Sequence, residues 1–173
     1  MTRTQAIVFD MDGVLIDSEG LHAHAKRIAF AHAGVALSDA DLLCCVGRSD
    51  AVMIDEVGAR YGLTHGQRAT VLNEKKRIYE QDEQGIKIVQ GAIELVRWAA
   101  EYYRLALATS ATPRNRMTNL NRLGITEVFE AVVDLGDVSE PKPSPEIYLT
   151  VTSRLALEPS QCMVVEDALT GVL

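Results

Sequence analysis

Long apolar runs are missing from this 173-residue chain. No stretch approaches the roughly 18 apolar residues of a membrane-spanning helix. The N-terminus, MTRTQAIVFDMD, has no long apolar region followed by a small-residue cleavage site. Cysteine is sparse. Cys44 and Cys45 are adjacent and Cys162 stands apart, an odd count that excludes a disulfide framework and points to a reducing cytoplasm. Positive charge is in deficit, with 17 basic against 24 acidic side chains and a formal charge of −7. That balance argues against a nucleic-acid or anionic-membrane binder, but not against an anionic small substrate held in a local positive pocket. Internal repeats, low-complexity segments and the Cys/His spacings of a zinc site are also missing. What remains, 47% hydrophobic and 24% charged, is the composition of a globular protein able to bury a sizeable core.

Four short apolar runs organise the sequence: Ala6–Phe9, Leu105–Ala108, Ala131–Val133 and Met163–Val165. Runs of this kind suit strands buried on both faces in a parallel sheet. Helical spacing over Met117–Leu123 and Ile147–Leu157 separates the last three, so an α/β sheet of doubly wound type is expected. Between the first and second runs, four proline-free stretches read as helices: Leu21–Gly34, Asp39–Cys45, Ser49–Tyr61 and Gln67–Gln84. They suggest a small helical bundle inserted over 17–86, with 1–16 and 87–173 forming the α/β core. The run NEKKRIYEQDEQ, 73–84, reads as a solvated helix face with i,i+4 pairs.

Each apolar run ends on polar residues of a particular kind. Asp10 and Asp12 follow the first, Thr109 and Ser110 the second. The third leads through DLGDVSE to Lys142, and Glu166 and Asp167 follow the fourth. Ligands of open α/β sheets bind outside the carboxyl ends of the strands. These residues would therefore gather around one crevice. The carboxylates are hard oxygen ligands suited to Mg²⁺. A divalent cation and a lysine would let such a cluster accept a phosphoryl group instead of repelling it. Asp10 and Asp12 converge only if the chain turns, and Gly13 permits that turn. Taken alone, each pair has a plain alternative: a strand-end turn for Asp10 and Asp12, and helix caps for the others.

The set as a whole resembles the haloacid dehalogenase (HAD) superfamily. VFDMDGVLIDSE, LALATS, EPKPSPEIY and MVVEDALTGV look like its four motifs, in order and across nearly the whole chain. The helical insert, with DSEGLH and VGRS, resembles the cap of the β-phosphoglucomutase/phosphoglycolate phosphatase-like branch. The resemblance implies a Rossmann-like core with a substrate-selecting cap, and a Mg²⁺-dependent phosphatase of a small phosphorylated metabolite. Asp10 would be nucleophile and metal ligand. Asp12 would be acid/base, with a backbone ligand to the metal. Asp167 would be a further metal ligand, with Glu166 as a ligand or a neighbour of one; Thr109 would hold a phosphoryl oxygen, and Lys142 would balance charge. Substrate contacts would come from Ser110 and from Glu19, His22, Gly47 and Arg48 of the cap. A sugar phosphomutase and an inactive binding module are the alternatives. Val46 stands where the mutase carries a lysine, which lowers the mutase reading. Family members also continue well beyond the fourth motif, so the resemblance implies that the C-terminal part of the core is missing after Leu173.

Overall fold

A computed structural model describes residues 3–43 and 49–172. The chain divides into two compact units, Met1–Asp17 with Lys87–Leu173, and Ser18–Ile86.

In the first unit, β1 (Ala6–Phe9), β4 (Arg104–Ala108), β5 (Ala131–Val133) and β6 (Cys162–Val165) form a parallel sheet in the order β5-β4-β1-β6. β1 is paired on both sides, to β4 and to β6, and all four of its residues are buried. Alternation of side chains divides its environment. Ala6 and Val8 join Ala106, Ala108 and Val133 in a cluster with Ile147 and Val151 of α7 (Glu146–Arg154) and Leu155 just after it. The alanines keep that side of the sheet shallow enough for a helix to pack closely. Phe9 instead meets Phe129 edge to face, with ring centroids 6.4 Å apart. β6 departs from the expectation of strands buried on both faces. It ends the described sheet, and Met163 and Val164 are 47% and 41% exposed.

Two further elements of this unit are too short to show in the hydrophobic pattern. β2 (Ile16–Asp17) pairs antiparallel with β3 (Lys87–Ile88), at the points where the chain leaves and re-enters the unit. α5 (Ala92–Ala100) begins at Gly91, whose φ of 83° is left-handed. α6 (Pro113–Leu123) starts four residues before the apolar spacing that announces it. Thr112 accepts from the Asn115 amide, and Pro113 occupies the first turn, where its missing N–H costs nothing.

The second unit holds α1 (Glu19–His32), α2 (Asp39–Leu43), α3 (Asp50–Arg60) and α4 (His65–Asp82). Met53, Ile54 and Val57 of α3 are buried, as their spacing predicts. α4 is fixed at its start by a capping box between Thr64 and Gln67. The 73–84 run is only partly a solvated face. Arg77 pairs with Glu74 and Gln81 on the exposed side, but Lys75 and Tyr79 are each only 2% exposed. One helix turns both faces through this run, and charge composition alone hides the buried one.

Asp41 ties the start of α2 to the end of α3. The Ser38 hydroxyl donates to its Oδ2 at 2.6 Å, the Tyr61 hydroxyl at 2.7 Å and the Ser38 amide at 3.0 Å. These bonds hold its carboxyl down at about 2, against an ordinary 3.8. A carboxyl depressed by folding contributes its stability in full above its unfolded value and loses it as pH falls toward the folded one. The unfolding midpoint of Asp41→Asn should therefore lie below that of the native chain by a constant interval above about pH 4. The interval should close between about pH 4 and pH 2. Urea titrations at stepped pH measure it, and an interval independent of pH would contradict the assignment.

Candidate active site

The carboxyl ends of β1, β4 and β6 lie side by side because those strands are parallel neighbours. Asp10 follows β1, and its amide donates to the Val165 carbonyl at 3.0 Å. The chain then turns sharply. Gly13 adopts φ +78° and donates to the Ile16 carbonyl at 2.7 Å, while Leu15 and Ile16 donate back to Met11. Asp12 forms an isolated bridge with Ile16 inside this turn. A Cβ on Gly13 would come within 2.0 Å of Asp167 Oδ2. Glycine here serves both the left-handed backbone and the close approach of a carboxylate from the neighbouring strand.

Lys142 reaches this group from the loop after β5 and is 6% exposed. Its ammonium donates to Asp10 Oδ1 at 3.0 Å and to Glu166 Oε2 at 2.6 Å. Thr109, at the end of β4, is fully buried; its Oγ1 accepts from the Ala111 amide at 3.1 Å. That bond uses a lone pair and leaves the hydroxyl proton available. The neighbouring Ser110 hydroxyl is buried without a hydrogen-bond partner among the described residues.

The electrostatics are unbalanced. Burial pushes the Asp10 carboxyl up to about 7; Lys142 lowers it, and Glu166 and Asp12 raise it further. Burial pulls the Lys142 ammonium down, but Asp10, Tyr148 and Glu166 outweigh this and hold it above the ordinary lysine value. One lysine thus faces more negative charge than it neutralises. The donor set is suited to a divalent cation. Asp10, Glu166 and Asp167 each offer a ligand oxygen, all within 4.8 Å of one another. Hard carboxylate oxygens of this kind suit Mg²⁺.

Asp10, Thr109, Ser110, Lys142, Glu166 and Asp167 belong to one unit. Glu19 and His22 belong to the other, in the first turns of α1. The His22 ring stacks on Tyr79, with centroids 4.5 Å apart, and its Nδ1 lies 2.8 Å from Lys75 Nζ. Gly47, Arg48 and Val46 lie outside the described residues. Two groups escaped the sequence reading. Tyr148 donates to Glu166 Oε2 at 2.7 Å. Its place six residues after Lys142 in KPSPEIY was the available signal. Lys75 ion-pairs with Asp50, which Lys26 also approaches at 3.6 Å. Burial raises the Asp50 carboxyl, but Lys75, His22 and Lys26 together leave it lowered.

A parallel sheet with a carboxylate cluster, buried hydroxyls and one lysine at its carboxyl edge, interrupted after its first strand by a helical unit, defines a Rossmann-like α/β scaffold with an insertion. The chain belongs to the haloacid dehalogenase-like hydrolase family, whose model matches residues 7–173. It is 32% identical over 171 residues to a phosphorylated carbohydrates phosphatase of Thermotoga maritima, covering 97% of this chain and 78% of that one. It is 32% identical over 168 residues to the validoxylamine A 7'-phosphate phosphatase of Streptomyces hygroscopicus, covering 96% and 78%. The crystal structure of a β-phosphoglucomutase from Clostridium difficile superposes with a TM-score of 0.85 at 26% identity, covering 98% of this chain and 78% of that one. These likenesses support a hydrolase of the HAD type.

Proposed function

We propose that the chain is a Mg²⁺-dependent phosphatase that hydrolyses a small phosphorylated metabolite, a sugar phosphate or a phosphorylated acid, in the cytoplasm. The observation that carries this reading is the buried Lys142 ammonium between Asp10 and Glu166, in a site that still holds excess carboxylate. An Asp10 oxygen attacks phosphorus and forms an aspartyl-phosphate as the bond to the leaving oxygen breaks. Asp12 gives its proton to that oxygen. It then takes a proton from the water that attacks the same phosphorus, and the bond to Asp10 breaks to return the carboxylate. The Thr109 and Ser110 hydroxyls hold phosphoryl oxygens, and Lys142 offsets charge between Asp10 and the phosphoryl group. Asp10, Asp167, the Asp12 carbonyl and Glu166, directly or as a neighbour, would hold Mg²⁺. The bound ion supplies stabilisation of charge on the transferring group. The unit 18–86 selects the leaving group, with Glu19, His22, Gly47 and Arg48 as contacts.

A panel of phosphorylated metabolites, with p-nitrophenyl phosphate as generic substrate and free phosphate as readout, tests the reading. Phosphate release should require Mg²⁺ and stop in excess chelator. Turnover that survives the chelator removes the metal from the reading, and a correctly folded chain inert to the whole panel removes the enzyme. The second reading, a sugar phosphomutase, is favoured by the likeness to β-phosphoglucomutase. It predicts exchange between sugar phosphate isomers with little free phosphate.

A further inference from the structure

The loop after β4 carries the Thr109 and Ser110 hydroxyls, and the turn after β5 is strapped to it. The Thr109 amide donates to the Val133 carbonyl at 3.0 Å, and the Leu135 amide donates to the Ala111 carbonyl at 3.2 Å. Ser110 lies between these two bonds on the β4 side, its hydroxyl buried and without a hydrogen-bond partner among the described residues. Asp134 lies between them on the β5 side and is 3% exposed. Arg116, early in α6, donates through Nε to Asp134 Oδ2 at 2.7 Å, and the Gly136 amide donates to Oδ1 at 2.8 Å. The two segments approach closely: a Cβ on Gly136 would lie 3.1 Å from Pro113 Cγ and 3.1 Å from Asp134 Oδ1. The β5 turn is also fixed on its own account. The Asp134 amide donates to Asp137 Oδ2 at 3.0 Å, and Arg154 of α7 pairs with Asp137 and donates to the Val132 carbonyl.

We propose that Asp134 and Arg116 are positioning residues: their ion pair ties the start of α6 to the β5 turn and thereby holds the Thr109 and Ser110 hydroxyls where a phosphoryl group meets them. The proposal rests on the reading that this loop receives a phosphoryl group. The route from the pair to the hydroxyls is short. The Arg116 amide donates to the Thr112 carbonyl at 2.9 Å, and the Thr112 side chain caps the helix, so α6 begins directly on the loop. A shift of Arg116 therefore passes through one hydrogen-bonded turn to Ala111 and Ser110. A buried ion pair is a poor source of net stability, but its geometry is exacting. A group misplaced by about 1 Å costs about 10²-fold in rate. The loss expected here is smaller, because the two backbone bonds remain when the pair is removed.

Inorganic phosphate, titrated by calorimetry with Mg²⁺ present and well below every unfolding midpoint, tests this without turnover. Arg116→Met leaves the Asp134 charge buried without its partner, so the midpoint should fall. Adding Asp134→Asn removes that charge and keeps an oxygen for the Gly136 amide, so the double variant should unfold near the native midpoint. Its phosphate dissociation constant should nevertheless be about fivefold above the native one, and its kcat/KM toward p-nitrophenyl phosphate about tenfold below. A pair that served only the fold would recover binding and rate along with the midpoint, and that recovery overturns the proposal. In a background without the two hydroxyls, Thr109→Val with Ser110→Ala, the same double substitution should move the phosphate constant by less than about twofold, because the pair acts through those hydroxyls. A shift of equal size in both backgrounds overturns the proposal as well. If the native chain binds no phosphate, or the background without hydroxyls binds it as tightly as the native chain, the reading of a phosphoryl site in this loop falls. Weaker binding on loss of the hydroxyls beside native binding on loss of the pair overturns the positioning role alone.

Discussion

Asp10→Asn should reduce phosphomonoester hydrolysis by at least about 10⁴-fold, the scale seen when a nucleophile is removed from a site that still binds its substrate. The amide keeps the shape of the carboxylate but has no anionic oxygen with which to attack phosphorus. Burial makes the comparison clean. Asp10 is 6% exposed, in the first turn after a strand paired on both sides, so a variant of equal volume has little room to relax. The loss should come without unfolding. Asp10 is held up at about 7 by burial, so a neutral group at this position suits the fold better than the charged one. The unfolding midpoint should stay at or slightly above that of the native chain while phosphate release vanishes. Hydrolysis that persists near the native rate would exclude Asp10 as the nucleophile.

Lys142→Met should damage both turnover and stability. The ammonium is the cation that reaches both Asp10 and Glu166, and its removal leaves two buried carboxylates facing each other. Breaking a buried ion pair from one side costs about 3–5 kcal/mol. The lower end of that range is expected, because Asp10 already takes up a proton near neutral pH and can relieve the repulsion. Methionine matches the lysine stem in bulk, so packing contributes little to the difference. Turnover should fall by about 10³-fold, since the ammonium that offsets charge between the nucleophile and an incoming phosphate is gone. Urea unfolding and phosphate release on the same preparation measure the two effects. Added Mg²⁺ should restore part of the stability and little of the turnover. A variant of native stability would show that Glu166 and Asp10 are neutralised by some other group.

Much of the site was legible because strand ends are local features. Apolar run followed by polar residue is a pattern of a few positions, and three of them placed Asp10, Thr109 and Glu166–Asp167 at one edge of one sheet, with Lys142 reaching it along the loop after the third run. What stayed hidden depends on contacts between distant segments. Tyr148 reads as an ordinary helical aromatic until α7 is docked on β4 and β5, which brings its hydroxyl to Glu166. Lys75 reads as one more charge in a solvated run until α4 packs on α1 and α3 and buries it beside His22 and Asp50. β2 and β3 are two residues each, too short for any periodicity, and exist only because Ile16–Asp17 and Lys87–Ile88 meet across the whole inserted unit.

The stretch around Asp10 divides the two kinds of information. Local sequence suffices for a buried strand, an abrupt acidic turn and a glycine able to take a left-handed conformation, because these follow from hydrophobicity and backbone sterics over a few residues. It also determined which chemistry the polar set suits, since hard carboxylate oxygens and a lysine have fixed preferences wherever they stand. It takes the folded chain to put Asp167 in the space a Gly13 side chain would need, to bring Lys142 to Asp10 and Glu166 together, and to set the Tyr148 hydroxyl against Glu166. Those outcomes depend on distances of about 3 Å between residues on different elements, 132 positions apart for Lys142 and Asp10, 24 for Lys142 and Glu166 and 18 for Tyr148 and Glu166, and hydrogen bonds and ion pairs are sensitive on that scale.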